Sequence, residues 1–249
     1  VNKETILDTE NLLNFIDVQK ITHFHTTPSM LSNLPVRTDL KSLRRIVVGG
    51  EICNKDLMEA WNEGYSFYNK YGPTETTVTS TISFYDKGTC NDREINIGRP
   101  IGNTQIYILD SQLSLVPVGV VGELCIGGSG VSRGYLNQEE LTQEKFITNP
   151  FIEGERIYKT GDLARWPADG SIEFIGRKDN QVKIRGYRIE LGEVETTLSL
   201  LESVIQCCVL AKEDANGNKR LVGYVVVEGE LNKTDLQDQL KVSLPEYMV

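Results

Sequence analysis

Residues 44–77 read RRIVVGGEICNKDLMEAWNEGYSFYNKYGPTETT, and the order of patterns in this stretch sets the fold class. Arg45-Ile-Val-Val48 is a short apolar run ending in Gly49-Gly50, the pattern of a buried strand. Asn54 is placed to cap a helix whose Leu57, Met58 and Trp61 recur at helical spacing. Tyr65 to Asn69 predicts another strand, which runs into the glycine-proline turn of Tyr71-Gly-Pro-Thr-Glu-Thr-Thr77. Strands alternating with helices predict a mostly parallel sheet covered by helices.

Upstream the same rhythm holds. Thr9 to Val18 places Leu12, Leu13, Phe15 and Ile16 at helical spacing behind a cap at Asp8 or Thr9. Ile21 to His25 is a short strand, and Pro28 opens a helix through Met30, Leu31 and Leu34. After about Phe84 the rhythm changes. From Ile95 to Gly176 short strands are expected at Thr104–Asp110, Glu123–Gly127, Leu163–Trp166 and Ser171–Ile175, with turns at 117–119 and 168–170. That spacing reads as an antiparallel barrel or sandwich carrying one helix, 138–145. The last stretch, 181–249, reads β-β-α-β-β-α. Its first helix is Glu193–Leu201, its strands Val204–Ala211 and Arg220–Val227 join through a polar turn at 213–217, and Thr234 caps the final helix. The polar run Arg177-Lys-Asp-Asn180 is the natural boundary before this unit.

Composition narrows the function classes. Lys and Arg number 26 against 35 Asp and Glu, a formal charge of −9 that repels phosphate backbones and argues against nucleic-acid binding. No apolar run approaches the roughly 20 residues of a membrane helix, and the first ten residues show no secretory signal. The five cysteines are scattered, never spaced as CxxC, and read as reduced thiols in a cytoplasmic protein. His23 and His25 share one strand face with no third ligand nearby, which does not make a metal site.

Three strings carry chemistry. Tyr68 to Thr77 offers hydroxyls around one carboxylate, Glu75; such a set can hold phosphate oxygens and a Mg²⁺ ion, and it is equally a Thr-rich turn into a strand. In Tyr158-Lys-Thr-Gly-Asp-Leu-Ala164, Asp162 follows a glycine just before a strand. A carboxylate there can take both hydroxyls of a ribose, or serve as an ordinary turn residue. In 176–190, GRKDNQVKIRGYRIE, cations alternate with apolar residues, as on a strand with one polar face. No GxxxxGK[ST], GxGxxG or GxSxG motif is present, and Gly127-Gly-Ser-Gly130 reads as a tight connection between barrel and helix.

In order, YGPTETT (71–77), GELCIGGSGVSRGYLN (122–137), YKTGDLARW (158–166), GRKDNQVKIRGYRIELGEVE (176–195) and the terminal LPEYMV resemble the adenylation domains of nonribosomal peptide synthetases, in the adenylate-forming superfamily. The resemblance implies an α/β and α+β fold. Residues 1–177 would be the C-terminal part of the large core: a mixed β-sheet with helices over 1–85, then a small distorted β-barrel over 86–177. Residues 178–249 would be most of a small mobile α+β domain. It implies that ATP and a carboxylic acid give an acyl-adenylate and pyrophosphate, after which the acyl group passes to the phosphopantetheine thiol of a carrier domain. Other synthetase domains would be partners.

By position, the resemblance implies that Gly49, Gly50 and Glu51 line the adenine slot, with Gly72 also in the nucleotide set. Asn69 would meet the adenine edge and Tyr71 its face. Thr74 would hold the α-phosphate, Glu75 the Mg²⁺, and Asp162 the ribose hydroxyls with help from Arg177. Asp179 matches a hinge, and Lys183 would face the site in the thiolation state. His25, Ile46, Val48, Lys70, Val78 and Thr79 match the substrate pocket, where two potential cations suggest an acid with an anionic or strongly polar side chain.

Relative to the family, 1–249 lacks the Gly/Ser/Thr-rich phosphate loop, the anchor for the substrate α-amino group, and the segment bearing the catalytic lysine. The isolated chain is therefore expected to show no pyrophosphate exchange, and to leave a sheet edge and apolar surface exposed. A stand-alone acyl- or aryl-CoA ligase and a non-catalytic scaffold module are the competing readings. Intact Thr74, Glu75, Asp162 and Arg177 speak against the scaffold.

Overall fold

Four polar residues start the first four helices in the same way. Asn2, Asp8, Thr27 and Asn54 each accept, through a side-chain oxygen, the backbone N–H three residues on. They open α1 (Lys3–Leu7), α2 (Thr9–Val18), α3 (Pro28–Ser32) and α4 (Lys55–Asn62). The structure, a computed structural model, describes residues 1–85, 96–213, 219–229 and 232–249. Cys90 and most of the turn expected at 213–217 lie outside them. The chain divides into two compact units, Val1–Lys178 and Asp179–Val249.

In the first unit, β1 (His23–Thr26), β2 (Arg45–Gly49) and β3 (Ser66–Tyr71) run parallel, as the strand–helix–strand order predicts. The sheet continues antiparallel through β4 (Thr81–Tyr85) and β5 (Asn96–Pro100). Ile46, Val48 and Phe67 are wholly buried on one face, in a core with Leu12, Leu13 and Ile16 of α2 and Trp61 of α4. The opposite face carries His25, Val47, Tyr68 and Phe84, with Phe84 53% exposed and its ring 5.0 Å from that of Tyr68.

The antiparallel part adds β6 (Thr104–Leu109), β7 (Gly122–Gly128), α5 (Glu139–Lys145), β8 (Phe146–Thr148), β9 (Arg156–Arg165) and β10 (Ile172–Arg177). Among the described residues these strands pair along the path β5-β10-β9-β7-β6, with β8 also on β9. The path joins the parallel strands into one sheet through β5. Gly98 makes that junction possible. Its φ is +81°, and a Cβ there would lie 1.9 Å from the Ile82 carbonyl oxygen.

The second unit has the expected β-β-α-β-β-α order: β11 (Gln181–Ile184), β12 (Tyr187–Glu190), α6 (Leu191–Ser199), β13 (Val204–Glu213), β14 (Lys219–Val227) and α7 (Lys233–Ser243). Arg185 and Gly186, both at positive φ (52° and 80°), form the two-residue turn of the first hairpin. Ile189, Val194, Leu198, Val209 and Leu240 build its core. The cap of α7 is Asn232, whose Oδ1 accepts from the N–H groups of Thr234 and Asp235; Thr234, the residue expected there, lies inside the helix.

Candidate functional site

The expectation that Asp162 sits ahead of a strand is corrected by the structure: β9 runs unbroken from Arg156 to Arg165 and Asp162 lies inside it. The glycine that suggested a turn makes a bulge instead. Gly161 has φ +74°, and the β7–β9 register shifts between Glu123 and Cys125, opposite this point. Thr160 closes the bulge, its Oγ1 donating to the Leu124 carbonyl at 2.6 Å and accepting the Asp162 N–H at 2.9 Å.

Asp162 is 3% exposed. Its Oδ1 accepts from Arg177 Nη1 at 2.6 Å, and its Oδ2 accepts from the Tyr71 hydroxyl. Arg177 stands opposite Asp162 in the β9–β10 ladder and also donates to the Thr160 carbonyl at 3.2 Å. Burial first, then the charge and hydrogen bond of Asp162, hold the Tyr71 phenol well above its usual range, so it remains a donor. Three separate strings of sequence meet at this carboxylate. A buried ion pair needs such extra hydrogen bonds to offset its desolvation.

Glu75 lies in a short 3-10 turn, Thr74–Thr76, directly after β3. Gly72 lets the chain fold back, since a Cβ there would lie 2.7 Å from the Ser80 nitrogen and 2.8 Å from the Val78 oxygen. Thr77 and Val78 follow at φ 63° and 69°, a left-handed backbone that is costly for β-branched residues. Segment 128–135 holds the turn from outside. Thr77 Oγ1 donates to the Gly130 carbonyl at 2.8 Å, and the Ser132 N–H donates to the Glu75 carbonyl at 2.8 Å.

The same segment ends in Tyr135, whose hydroxyl donates to Glu75 Oε1 at 2.6 Å and lies 3.3 Å from the Tyr158 hydroxyl. Sequence reasoning took the glycines at 127–130 for a connection and missed Tyr135. No local pattern points to it, because its contact with Glu75 spans 60 positions.

The remaining expected residues divide. Asn69 is buried two positions before Tyr71 on the same side of β3, its amide donating to the Asn96 carbonyl at 3.2 Å. Glu51 Oε2 accepts the Ser29 N–H in the first turn of α3 at 2.9 Å, and Gly50 has φ +86°. Thr74 is exposed at the start of the turn, with Val78 exposed and Thr79 half-buried after it. His25 and Lys70 share the open face of the sheet. Burial, then the charges of Lys70 and His23, lower the His25 imidazole from its usual range.

Ile46 and Val48 do not join His25 and Lys70. Strand alternation turns them to the other face, where both are 0% exposed in the helix-covered core. Val47 and Gly49 occupy the His25–Lys70 face instead, and the Lys70 side chain lies over Gly49, where a Cβ would meet its Cγ at 2.6 Å. In the second unit, Asp179 Oδ1 accepts the Gln181 N–H at 3.2 Å and Lys183 pairs with Arg188 across the β11–β12 hairpin.

Among the described residues no cluster of three or more His, Cys, Asp and Glu gathers, so a cation caged wholly by protein does not fit. One buried carboxylate beside hydroxyls does fit Mg²⁺, which shares its shell with phosphates and water. Cys53, Cys125, Cys207 and Cys208 are free thiols. No described helix is long and apolar enough to cross a membrane.

Residues 1–136 match the family described as AMP-binding enzyme. The chain is 45% identical, over 254 residues, to gramicidin S synthase 2 of Brevibacillus brevis, with 100% of this chain aligned but only 6% of that protein. Its fold matches the Vibrio cholerae adenylation domain AlmE, solved with glycyl-adenosine-5'-phosphate, at TM-score 0.86 and 26% identity over 99% of this chain and 48% of that one. It matches NpsA-ThdA of Klebsiella oxytoca, an artificially fused adenylation–PCP di-domain, at TM-score 0.84 and 25% identity over 97% of this chain and 46% of that one.

Proposed function

The chain belongs to the AMP-binding enzyme family, and from that premise we propose that it forms part of a site that activates an amino acid or related carboxylic acid with ATP. A carboxylate oxygen bonds to the α-phosphorus, the bond from that phosphorus to the β-phosphate bridging oxygen breaks, and pyrophosphate leaves with the electron pair. In the second step the phosphopantetheine thiol of a carrier domain bonds to the acyl carbon. AMP leaves, and the thiol proton passes to solvent. The relatives support both halves: one solved structure holds an aminoacyl-adenylate and another joins an adenylation to a PCP domain.

The observation that carries the reading is the Tyr71–Asp162–Arg177 constellation. It fixes a buried carboxylate without using all of its roughly four acceptor sites, as ribose recognition requires. In this reading Asn69 and Tyr71 lie along adenine with Gly49, Gly50, Glu51 and Gly72 near by, Thr74 donates to the α-phosphate, and Glu75 holds Mg²⁺. The metal, when bound, would neutralise charge on the phosphate oxygens. Val1–Lys178 is read as part of the large core and Asp179–Val249 as the mobile domain, with Asp179 at the hinge and Lys183 serving thiolation.

His25 and Lys70, with Val47, Gly49, Val78 and Thr79, would face the substrate side chain, which favours an acid with an anionic or strongly polar group. Pyrophosphate exchange across a panel of amino and aryl acids, in the polypeptide as its own gene encodes it, tests the function. Exchange with a polar or acidic substrate, lost in Asp162→Ala, is the expected result. No exchange with any acid sinks the proposal, and a preference for plain aliphatic acids sinks the substrate class alone.

A further inference from the structure

We propose that Tyr135 is a positioning residue for Glu75, its hydroxyl fixing the carboxylate in the orientation that takes a divalent cation together with nucleotide phosphates. The proposal rests on the reading of Glu75 above. Tyr135 donates to Glu75 Oε1 at 2.6 Å, and Glu75 is 7% exposed, so the contact is made away from bulk water. A carboxylate offers about four acceptor sites, and the phenol takes one of them at Oε1 while restraining how the group can turn. A metal ligand already held by such a bond loses no further rotational freedom when the cation arrives.

Tyr135 is itself clamped. Its N–H donates to Thr142 Oγ1 at 2.9 Å, from α5, and its ring meets Phe146 edge-on at 5.4 Å and 72°. Gly134, at φ +139°, brings the chain so close that a Cβ would lie 2.4 Å from Thr142 Cγ2. No residue of α5 is buried. Its contribution to the site is the hydroxyl of Thr142, which ties the Tyr135 backbone to the helix and so holds the ring that holds Glu75.

The test uses the polypeptide as its own gene encodes it, with Mn²⁺ as the metal probe and α,β-methylene-ATP as the nucleotide. Mn²⁺ binding is read by electron paramagnetic resonance, and nucleotide binding is measured with and without metal. Tyr135→Phe is expected to weaken Mn²⁺ binding in the nucleotide complex about tenfold. Metal-free nucleotide binding stays unchanged. On a Glu75→Gln background, Tyr135→Phe adds little further loss, because the two residues act as a unit.

Unchanged Mn²⁺ affinity in Tyr135→Phe, full additivity with Glu75→Gln, or an equal loss of metal-free nucleotide binding overturns the proposal. Should Tyr135→Phe unfold, Thr142→Val, which keeps the phenol but releases its backbone, gives the same test: weaker Mn²⁺ binding supports the role and unchanged binding overturns it. If the unmodified protein binds no nucleotide, the adenylation reading fails and takes this proposal with it. If it binds normally and the variants match it, the positioning role alone is wrong.

Discussion

Tyr71 and Asp162, separated by 91 positions of sequence, share a buried hydrogen bond in which the phenol donates to the carboxylate that Arg177 also holds. The group proposed to recognise the nucleotide thus also ties the core together. Asp162→Ala removes one side of an ion pair whose guanidinium is 13% exposed, and is expected to cost about 3 kcal/mol in chemical denaturation. Tyr71→Phe leaves the ion pair in place and should cost about 1–2 kcal/mol. Equal costs for the two variants would refute this division.

Gly98 joins the two parts of the large sheet at a point where only hydrogen fits. Gly98→Ala would set a Cβ 1.9 Å from the Ile82 carbonyl oxygen on a backbone with φ +81°. A loss of about 3 kcal/mol or more is expected, read as a shift in the denaturation midpoint. A change within experimental error would show that the strands can part there without cost.

His25 should titrate below its ordinary value of 6.5, because burial and the charges of Lys70 and His23 disfavour the imidazolium. The sign follows from linkage: the unfolded chain takes up this proton first, so stability drops as pH falls from 6.5 through the folded value and then levels. Histidine NMR titration checks the shift. Lys70→Ala should move the His25 midpoint upward, while His25→Gln should remove this segment of the stability profile.

Burial raises the thiols of Cys53 and Cys125 to about 12, whereas Cys208 is exposed on β13. Alkylation near pH 8 should label Cys208 first among the four described cysteines, with Cys53 and Cys125 protected until the chain unfolds. Peptide mass spectrometry after timed labelling reads the order. Early modification of Cys53 would show that the helix-covered core opens.

The element order was legible because helices and strands are governed by local periods and local caps. Asn54 and Asp8 cap as their sequence implies, and the parallel strands follow from the strand–helix–strand order in 44–77. Where a second influence enters, local reading fails. Gly161 looked like the end of a loop, yet within β9 it makes a bulge, because neighbouring strands supply the pairing that a lone sequence cannot show. Strand alternation, visible in principle, still needed the observed helices to say which face of β2 is inside. That assignment moved Ile46 and Val48 into the core and Val47 and Gly49 to the face of His25 and Lys70.

The sequence by itself determined the chemistry available at Tyr71, Glu75, Asp162 and Arg177, since donors, acceptors and charges are properties of residue types. Only the tertiary structure decided that Tyr71 and Arg177 share Asp162, and that Tyr135 reaches Glu75 from 60 positions away. Those pairings depend on which strands lie side by side. Side-by-side placement is set by the burial of whole sheet faces, not by anything within a few residues of the groups that meet.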